Sequence, residues 1–245
     1  MAKRVLSALR EIKWWEYLFI FLYFATTISL GIIFKSSALI ILNTFFPVTT
    51  VFLLAKGMVV GNFVGIINIA IYSINCYFNG FYGEIICGLV IVLPSYCLSI
   101  YTWLKTMKKG STVLSINRGL SKKEWILIVC TLCVLSVGVY FLLKAFNTAY
   151  LVVSTIATMC GMLSGYLSIR RCEFNFLMYA VSNMITIVLW CLSIMQNSLV
   201  NLPILVAFCV QFLLNCFGLL NWIRIKRLQS KEDNFDVILK ICKNS

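Results

Sequence analysis

The sequence predicts an all-α integral membrane protein of about eight transmembrane helices, and three observations carry that prediction. The chain is 61% hydrophobic and 12% charged, with a mean hydropathy of +0.95, more apolar side chain than a soluble core of 245 residues can hide. Apolar stretches of about 20 residues, the length that crosses a hydrocarbon layer of about 30 Å, follow one another almost end to end, which implies helices rather than barrel strands. The basic residues behind the net charge of +13 punctuate these stretches instead of forming one groove-lining patch, so the lipid bilayer is the expected partner and nucleic acid is not.

Taken in order, the first span runs over 14–34, behind Lys3, Arg4, Arg10 and Lys13. That start is similar to a signal peptide, but the apolar run is too long and lacks an A-x-A site, so an uncleaved first helix is expected. Further spans are placed at 37–55, 58–78 and 81–104. The longest polar connection, Lys105 to Glu124, follows; Gly110 and Ser111 mark a turn, and Ser121-Lys-Lys-Glu124 has the form of a capping box for the next helix. The remaining spans are 125–146, 149–169, 174–195 and 200–223. Pro47, Pro94 and Pro203 fall inside spans, where proline kinks or opens a helix. Trp14, Trp15, Trp103 and Trp222 sit at span ends and read as interface anchors in preference to pocket walls. In the tail, Phe235, Ile238, Leu239 and Cys242 share one face of a short helix, with Lys240 and Lys243 beside the headgroups, so a surface-lying helix is expected.

Charge tests the count. With the N-terminus in the cytoplasm, only Lys35 and Lys144 of the 21 Lys and Arg residues fall on the far side, the asymmetry of the positive-inside rule, and both termini are then cytoplasmic. The halves also repeat. An offset of 115 pairs Thr49 with Ser164, Lys56 with Arg171 and Asn68 with Asn183; one further residue pairs Ser95 with Gln211, Ser99 with Asn215 and Tyr101 with Phe217. The expected organisation is an N-terminal segment and extra span (1–35), a three-helix repeat (36–105), a cytoplasmic loop and linker helix (106–147), a second three-helix repeat in the same direction (148–227) and a cytoplasmic tail (228–245). Parallel repeats are a known transporter plan, with the solute site near mid-membrane between them.

The chain has no histidine, and its eight acidic residues fall near helix ends or in the tails, so no titratable group is expected deep in the bundle. That excludes the usual acid–base, metal and nucleophile constellations of an intramembrane enzyme, implies no cofactor, and points to a passive carrier in place of a proton-coupled one. Cys130-Thr-Leu-Cys133 has redox spacing, but with eleven cysteines, most in apolar segments, packing is the preferred reading. The spans do contain uncharged polar and aromatic residues at helical spacing: Asn68, Tyr72 and Asn75; Tyr179, Asn183, Thr186 and Trp190; Gln211, Asn215 and Trp222. Amides offer donors and acceptors, and aromatic faces stack on flat rings or attract a cation, so these stripes suit an uncharged or singly cationic heterocycle carrying hydroxyls. The alternative is interhelical glue.

At these residues the sequence resembles the nicotinamide riboside transporter family, PnuC type, over roughly 40–227. Gly65-Ile-Ile-Asn68 resembles its F-G-x-x-N segment, Ser99-Ile-Tyr101-Thr-Trp103 its N-x-Y-G-W segment, and Arg170-Arg171 with Asn175 and Asn183 its R-K-x-x-E-N-W-x-x-W-x-x-x-N stretch; Asn215-Cys-Phe217-Gly218 echoes N-x-Y-G. The resemblance implies two three-helix repeats joined by one helix, a homotrimer with one path per subunit, and facilitated diffusion of a nucleoside-like vitamin across a bacterial cell membrane, drawn inward by a cytoplasmic kinase. It also implies solute contacts at Asn68, Tyr179, Asn183 and Trp190, with Gln211 and Asn215 behind them; Tyr72 and Asn75 join the set from spacing. Phe176-Leu-Met-Tyr179 replaces W-x-x-W, and Ser99 replaces an asparagine, so thiamine, riboflavin or a deoxynucleoside stands beside nicotinamide riboside as the solute. Two rivals of another class are the substrate-capturing subunit of an energised vitamin importer and a membrane scaffold that transports nothing.

Overall fold

The computed structural model describes residues 13–106, 115–117, 119–197 and 199–244, and among these the only regular elements are helices, eight of them long and apolar enough to cross a membrane. They are α1 (Trp14–Ile33), α2 (Ala38–Ala55), α3 (Val60–Phe78), α4 (Tyr82–Thr106), α5 (Lys122–Ala145), α6 (Leu151–Ile169), α7 (Phe174–Asn197) and α8 (Leu202–Asn244). Each coincides with a span expected from hydropathy. The N-terminal basic residues and the Gly110-Ser111 turn lie outside the described residues, as do the side chains on which the tail's amphipathic face depends. The tail's backbone does not start a separate helix, because α8 runs unbroken for 43 residues.

Local chemistry sets the boundaries. Ser37 caps α2 by accepting from the Ile40 N–H at 3.4 Å, and Ser121 caps α5 by accepting from that of Glu124 at 3.2 Å. Gly57 and Gly80, with φ of 74° and 67°, end α2 and the α3 turn in the left-handed region where a side chain is strained. Pro203 sits in the first turn of α8, where its missing N–H costs nothing, so it starts that helix and does not kink it as expected. Pro47 and Pro94 do lie within helices. Just before Pro94, α4 widens into a π-helical segment, Cys87–Val92, and Ser95 Oγ donates to Ile91 O at 2.7 Å to serve a carbonyl of that stretch.

The core is built by α2–α4 and α6–α8. In it α2 packs on α3 and α8, α7 packs on α6 and α8, and α4 packs on α3 and α6. The other two helices are peripheral: 11% of the α5 span and 22% of the α1 span is buried, against 56% of α2. One end of the bundle is tied by polar contacts among its basic residues. Lys56 pairs with the buried Glu16, Arg170 with Glu124 at 2.8 Å, and Lys226 with Glu173 at 2.6 Å. Trp103 and Trp222 are also here, fully buried with ring centroids 5.6 Å apart; Trp103 Nε1 donates to Ser168 O at 3.2 Å and Trp222 Nε1 to Leu54 O at 3.0 Å. They are interior hydrogen-bonding residues, which corrects their reading as interface anchors, whereas Trp14 and Trp15 are exposed. The opposite end is closed by Ser36 Oγ donating to Val200 O, Ala149 N to Gly80 O, and Asn201 Nδ2 to Asn79 Oδ1.

Cysteines divide by place. Cys76, Cys87 and Cys172 are buried packing residues, but Cys130 and Cys133 are free thiols exposed on the outer face of α5, so packing inside the bundle does not explain that pair. Burial pushes the Cys172 thiol up, which keeps it protonated at the basic end.

Candidate functional site

Between the six core helices lies a cavity of about 120 Å³, a scale comparable to the ~150 Å³ that holds a benzene ring in an apolar protein interior. Each core helix gives it a wall. Pro47, Thr50 and Leu54 come from α2; Asn68, Ile69 and Tyr72 from α3; Glu84, Cys87, Gly88 and Tyr96 from α4. Opposite them stand Ala157 and Gly161 of α6, Asn175, Phe176, Tyr179, Ser182, Asn183 and Thr186 of α7, and Phe208, Gln211 and Asn215 of α8.

The sequence folds this way for identifiable reasons. On α7 the polar members fall at i, i+4, i+7, i+8 and i+11, a single helical face. The π-helical turn of α4 supplies Cys87, Gly88 and Val92 to the wall, which a regular helix would rotate to other azimuths. Two close approaches need glycine: a Cβ on Gly65 would lie 2.6 Å from Tyr96 Cζ, and one on Gly161 would lie 2.8 Å from Cys87 Sγ. Without bare backbone at these positions, α4 could not sit against α3 and α6. Aromatic clusters bound the space at both ends, Phe176 edge-on to Trp222 at 5.0 Å toward the basic end and Tyr72 edge-on to Phe208 at 5.9 Å toward the other.

Hydrogen bonding divides the polar groups of the wall into two sets. The hydroxyls of Thr50, Ser182 and Thr186 are satisfied by backbone carbonyls of Phe46, Ala157 and Ser182. Five other residues on the wall each hold a buried polar atom with no protein partner: Asn68 Oδ1, Asn175 Oδ1, Asn183 Nδ2, Gln211 Nε2 and Asn215 Oδ1; the Tyr72 hydroxyl and the Glu84 carboxyl group face each other. An unpartnered buried group costs about 1–3 kcal/mol, so five around one space call for water or a solute to supply the partners. An amide can turn over, so the four asparagines and Gln211 present either donor or acceptor to whatever enters.

Six of the eight expected site residues line this cavity: Asn68, Tyr72, Tyr179, Asn183, Gln211 and Asn215. Asn75 and Trp190 do not. Both follow the right stripe but lie too far along it; Trp190 is 11 residues, about 16 Å, beyond Tyr179. Trp190 is fully buried with its ring edge-on to Phe81 at 5.2 Å, a packing contact beyond the cavity. Sequence reasoning missed Glu84, which it assigned to a helix end. Glu84 is indeed in the first turn of α4, one turn from the end closed at Gly80, but its carboxyl group lines the cavity. Tyr96 was also missed; Gly65, the glycine of the motif, was its signal. A second, larger hollow of about 310 Å³ lies between α4, α5 and α6, but its walls are chiefly Ile91, Leu127, Leu132, Leu135 and Leu163, and its one carboxylate, Glu124, is engaged by Tyr166 at 2.7 Å and by Arg170.

Known proteins share the sequence pattern and the fold of this chain. The chain is 24% identical over 179 residues to the "Nicotinamide riboside transporter PnuC" of Neisseria mucosa, an overlap of 71% of this chain and 68% of that protein. A structure titled "Crystal structure of the Vitamin B3 transporter PnuC" superposes with a TM-score of 0.78 at 20% identity, covering 88% of this chain and 93% of that one, which establishes the shared fold. Residues 37–224, all of the cavity-forming helices, match the family described as nicotinamide mononucleotide transporter, and the chain belongs to that family of multi-pass membrane transporters.

Proposed function

We propose that this protein carries nicotinamide riboside, or a closely related nucleoside-like vitamin, through the cavity between its core helices. The observation that carries the proposal is the set of five unpartnered amide atoms around a space of ring size, which suits the amide-bearing ring of such a solute. In this reading Asn68, Asn183, Gln211 and Asn215 bond the hydroxyls and amide, while Tyr72, Tyr96 and Tyr179 flank the heterocycle. Trp190 and Asn75 back the wall without touching the solute. Transport is facilitated diffusion with trapping by a cytoplasmic kinase, in a homotrimer with one path per subunit, as the family resemblance implies; no catalysis is assigned to the chain.

The two halves are proposed to act as three-helix repeats, α2–α4 and α6–α8, about the linker α5. Reciprocal bonds support this: the tryptophan ending the fourth helix donates to the end of the sixth, and the tryptophan near the end of the membrane part of the eighth donates to the end of the second. The basic end is assigned to the cytoplasm of a bacterial cell, with both termini there. Calorimetry on the purified, solubilised protein with nicotinamide riboside, thiamine, riboflavin and a deoxynucleoside tests the reading. Saturable binding of nicotinamide riboside supports it; binding of none favours the scaffold alternative or a solute outside this set.

A further inference from the structure

Charge is nearly absent from the cavity wall. No lysine or arginine is among its described lining residues, and Glu84 is its one ionisable carboxyl group. Three other glutamates have described side chains, and each has a cation: Glu16 has Lys56, Glu124 has Arg170, and Glu173 has Lys226. Glu84 alone has none, and the donor that faces its carboxyl group is the neutral Tyr72 hydroxyl. The groups beside it are Tyr72, Cys76 and Cys87, all without positive charge. A carboxylate held inside a membrane without a counter-ion is strongly disfavoured, and such groups pair with something that enters.

We propose that Glu84 is the counter-ion of a positively charged ring in the transported solute, so that the cavity selects cationic heterocyclic nucleosides over neutral ones. The inference rests on the carrier reading and narrows it. Nicotinamide riboside has a pyridinium nitrogen, quaternary because it bears the ribose, and thiamine has a thiazolium; both charges are permanent. Riboflavin and deoxynucleosides are neutral. The aromatic rings around the space act in the same direction, because the π-faces of Tyr72, Tyr96, Tyr179 and Phe208 attract a cation and have no such preference for a neutral ring. The amide-bearing wall of α7 and α8 then takes the hydroxyls, leaving Glu84, contributed by α4, for the charge. The sequence 84–88, with Cys87 and Gly88 also on the wall, places the carboxylate one turn from the π-helical segment.

The test compares nicotinamide riboside with its neutral 1,4-dihydro form, which keeps the ribose, the amide and nearly the same shape. Binding of both is measured calorimetrically to the full-length protein in nanodiscs, wild type and Glu84→Gln, with thermal unfolding confirming that the variant is folded. The wild type is expected to prefer the cationic form. Glu84→Gln is expected to weaken the cationic form by about ten- to a hundredfold while changing the neutral form by less than about threefold, so that the preference disappears. If the variant is poorly folded, the wild-type preference alone decides, since equal affinity for the two forms overturns the proposal. So does an unchanged preference in the variant, or an equal loss of both forms, which would make Glu84 a structural residue. Unaltered binding with loss of uptake driven by a proton gradient would overturn it in favour of a proton-coupling role. Failure of the wild type to bind either form would overturn the carrier reading itself, an outcome distinct from all of these.

Discussion

At the scale of single residues, position along a helix axis decides more than position around it. Asn183 and Trp190 share a face of α7, yet only Asn183 reaches the cavity, and their substitutions separate accordingly. Asn183→Ala and Gln211→Ala each remove one donor from the wall and should weaken nicotinamide riboside binding about five- to tenfold by calorimetry, with little change in thermal unfolding. Trp190→Ala empties a fully buried site packed on Phe81 and should cost about 3–5 kcal/mol of stability, while changing affinity less than Asn183→Ala does. An affinity loss at Trp190 larger than that at Asn183 would put the ring in contact with solute. The polar stripes were legible in the sequence because a period of 3.6 is visible in one dimension. The depth at which a stripe meets a cavity was not, because it depends on where neighbouring helices diverge. The same limit hid that Glu84, in the first turn of its helix, lines the cavity, and it misplaced Trp103 and Trp222, which sit at span ends but pack on each other.

Among elements, the ends of the helices are held by pairs and the middle is held by shape. Lys226 on α8 satisfies Glu173 at the entry to α7, so Lys226→Met should strand a largely buried carboxylate and lower stability by about 1–3 kcal/mol. Adding Glu173→Gln should recover part of that loss, and a double-mutant cycle with no coupling would show that the pair is incidental. In the middle, Gly65→Val on α3 would drive a side chain into the Tyr96 ring and should reduce solute binding without removing any polar group of the site; unchanged binding would show that Tyr96 moves aside freely. Hydropathy located all eight spans, since apolar length is what a bilayer selects. It could not show the π-helical segment of α4, whose composition, Cys-Gly-Leu-Val-Ile-Val, fits a regular helix equally well. Nor could it show that α8 continues past the apolar run, because a polar helical extension carries no hydropathy signal.

On the scale of the whole molecule, a ring of six helices encloses a largely apolar space dotted with buried amides, while α1 and α5 stay on its outside. The family match covers that ring and leaves out α1, which the Lys56–Glu16 pair ties to α2. An exposed, apolar α5 has the surface expected of a helix that faces lipid or a neighbouring subunit, in keeping with a proposed trimer. Glu84 gives the cavity wall one ionisable carboxyl group, and passive transport is what the family resemblance implies. The direct measurement is uptake of radiolabelled nicotinamide riboside into proteoliposomes containing only this protein, with no ATP and no ion gradient. A carrier of the proposed kind gives saturable uptake that stops when inside and outside concentrations are equal. Uptake no faster than into empty liposomes, or accumulation that appears only with an ion gradient, would contradict it.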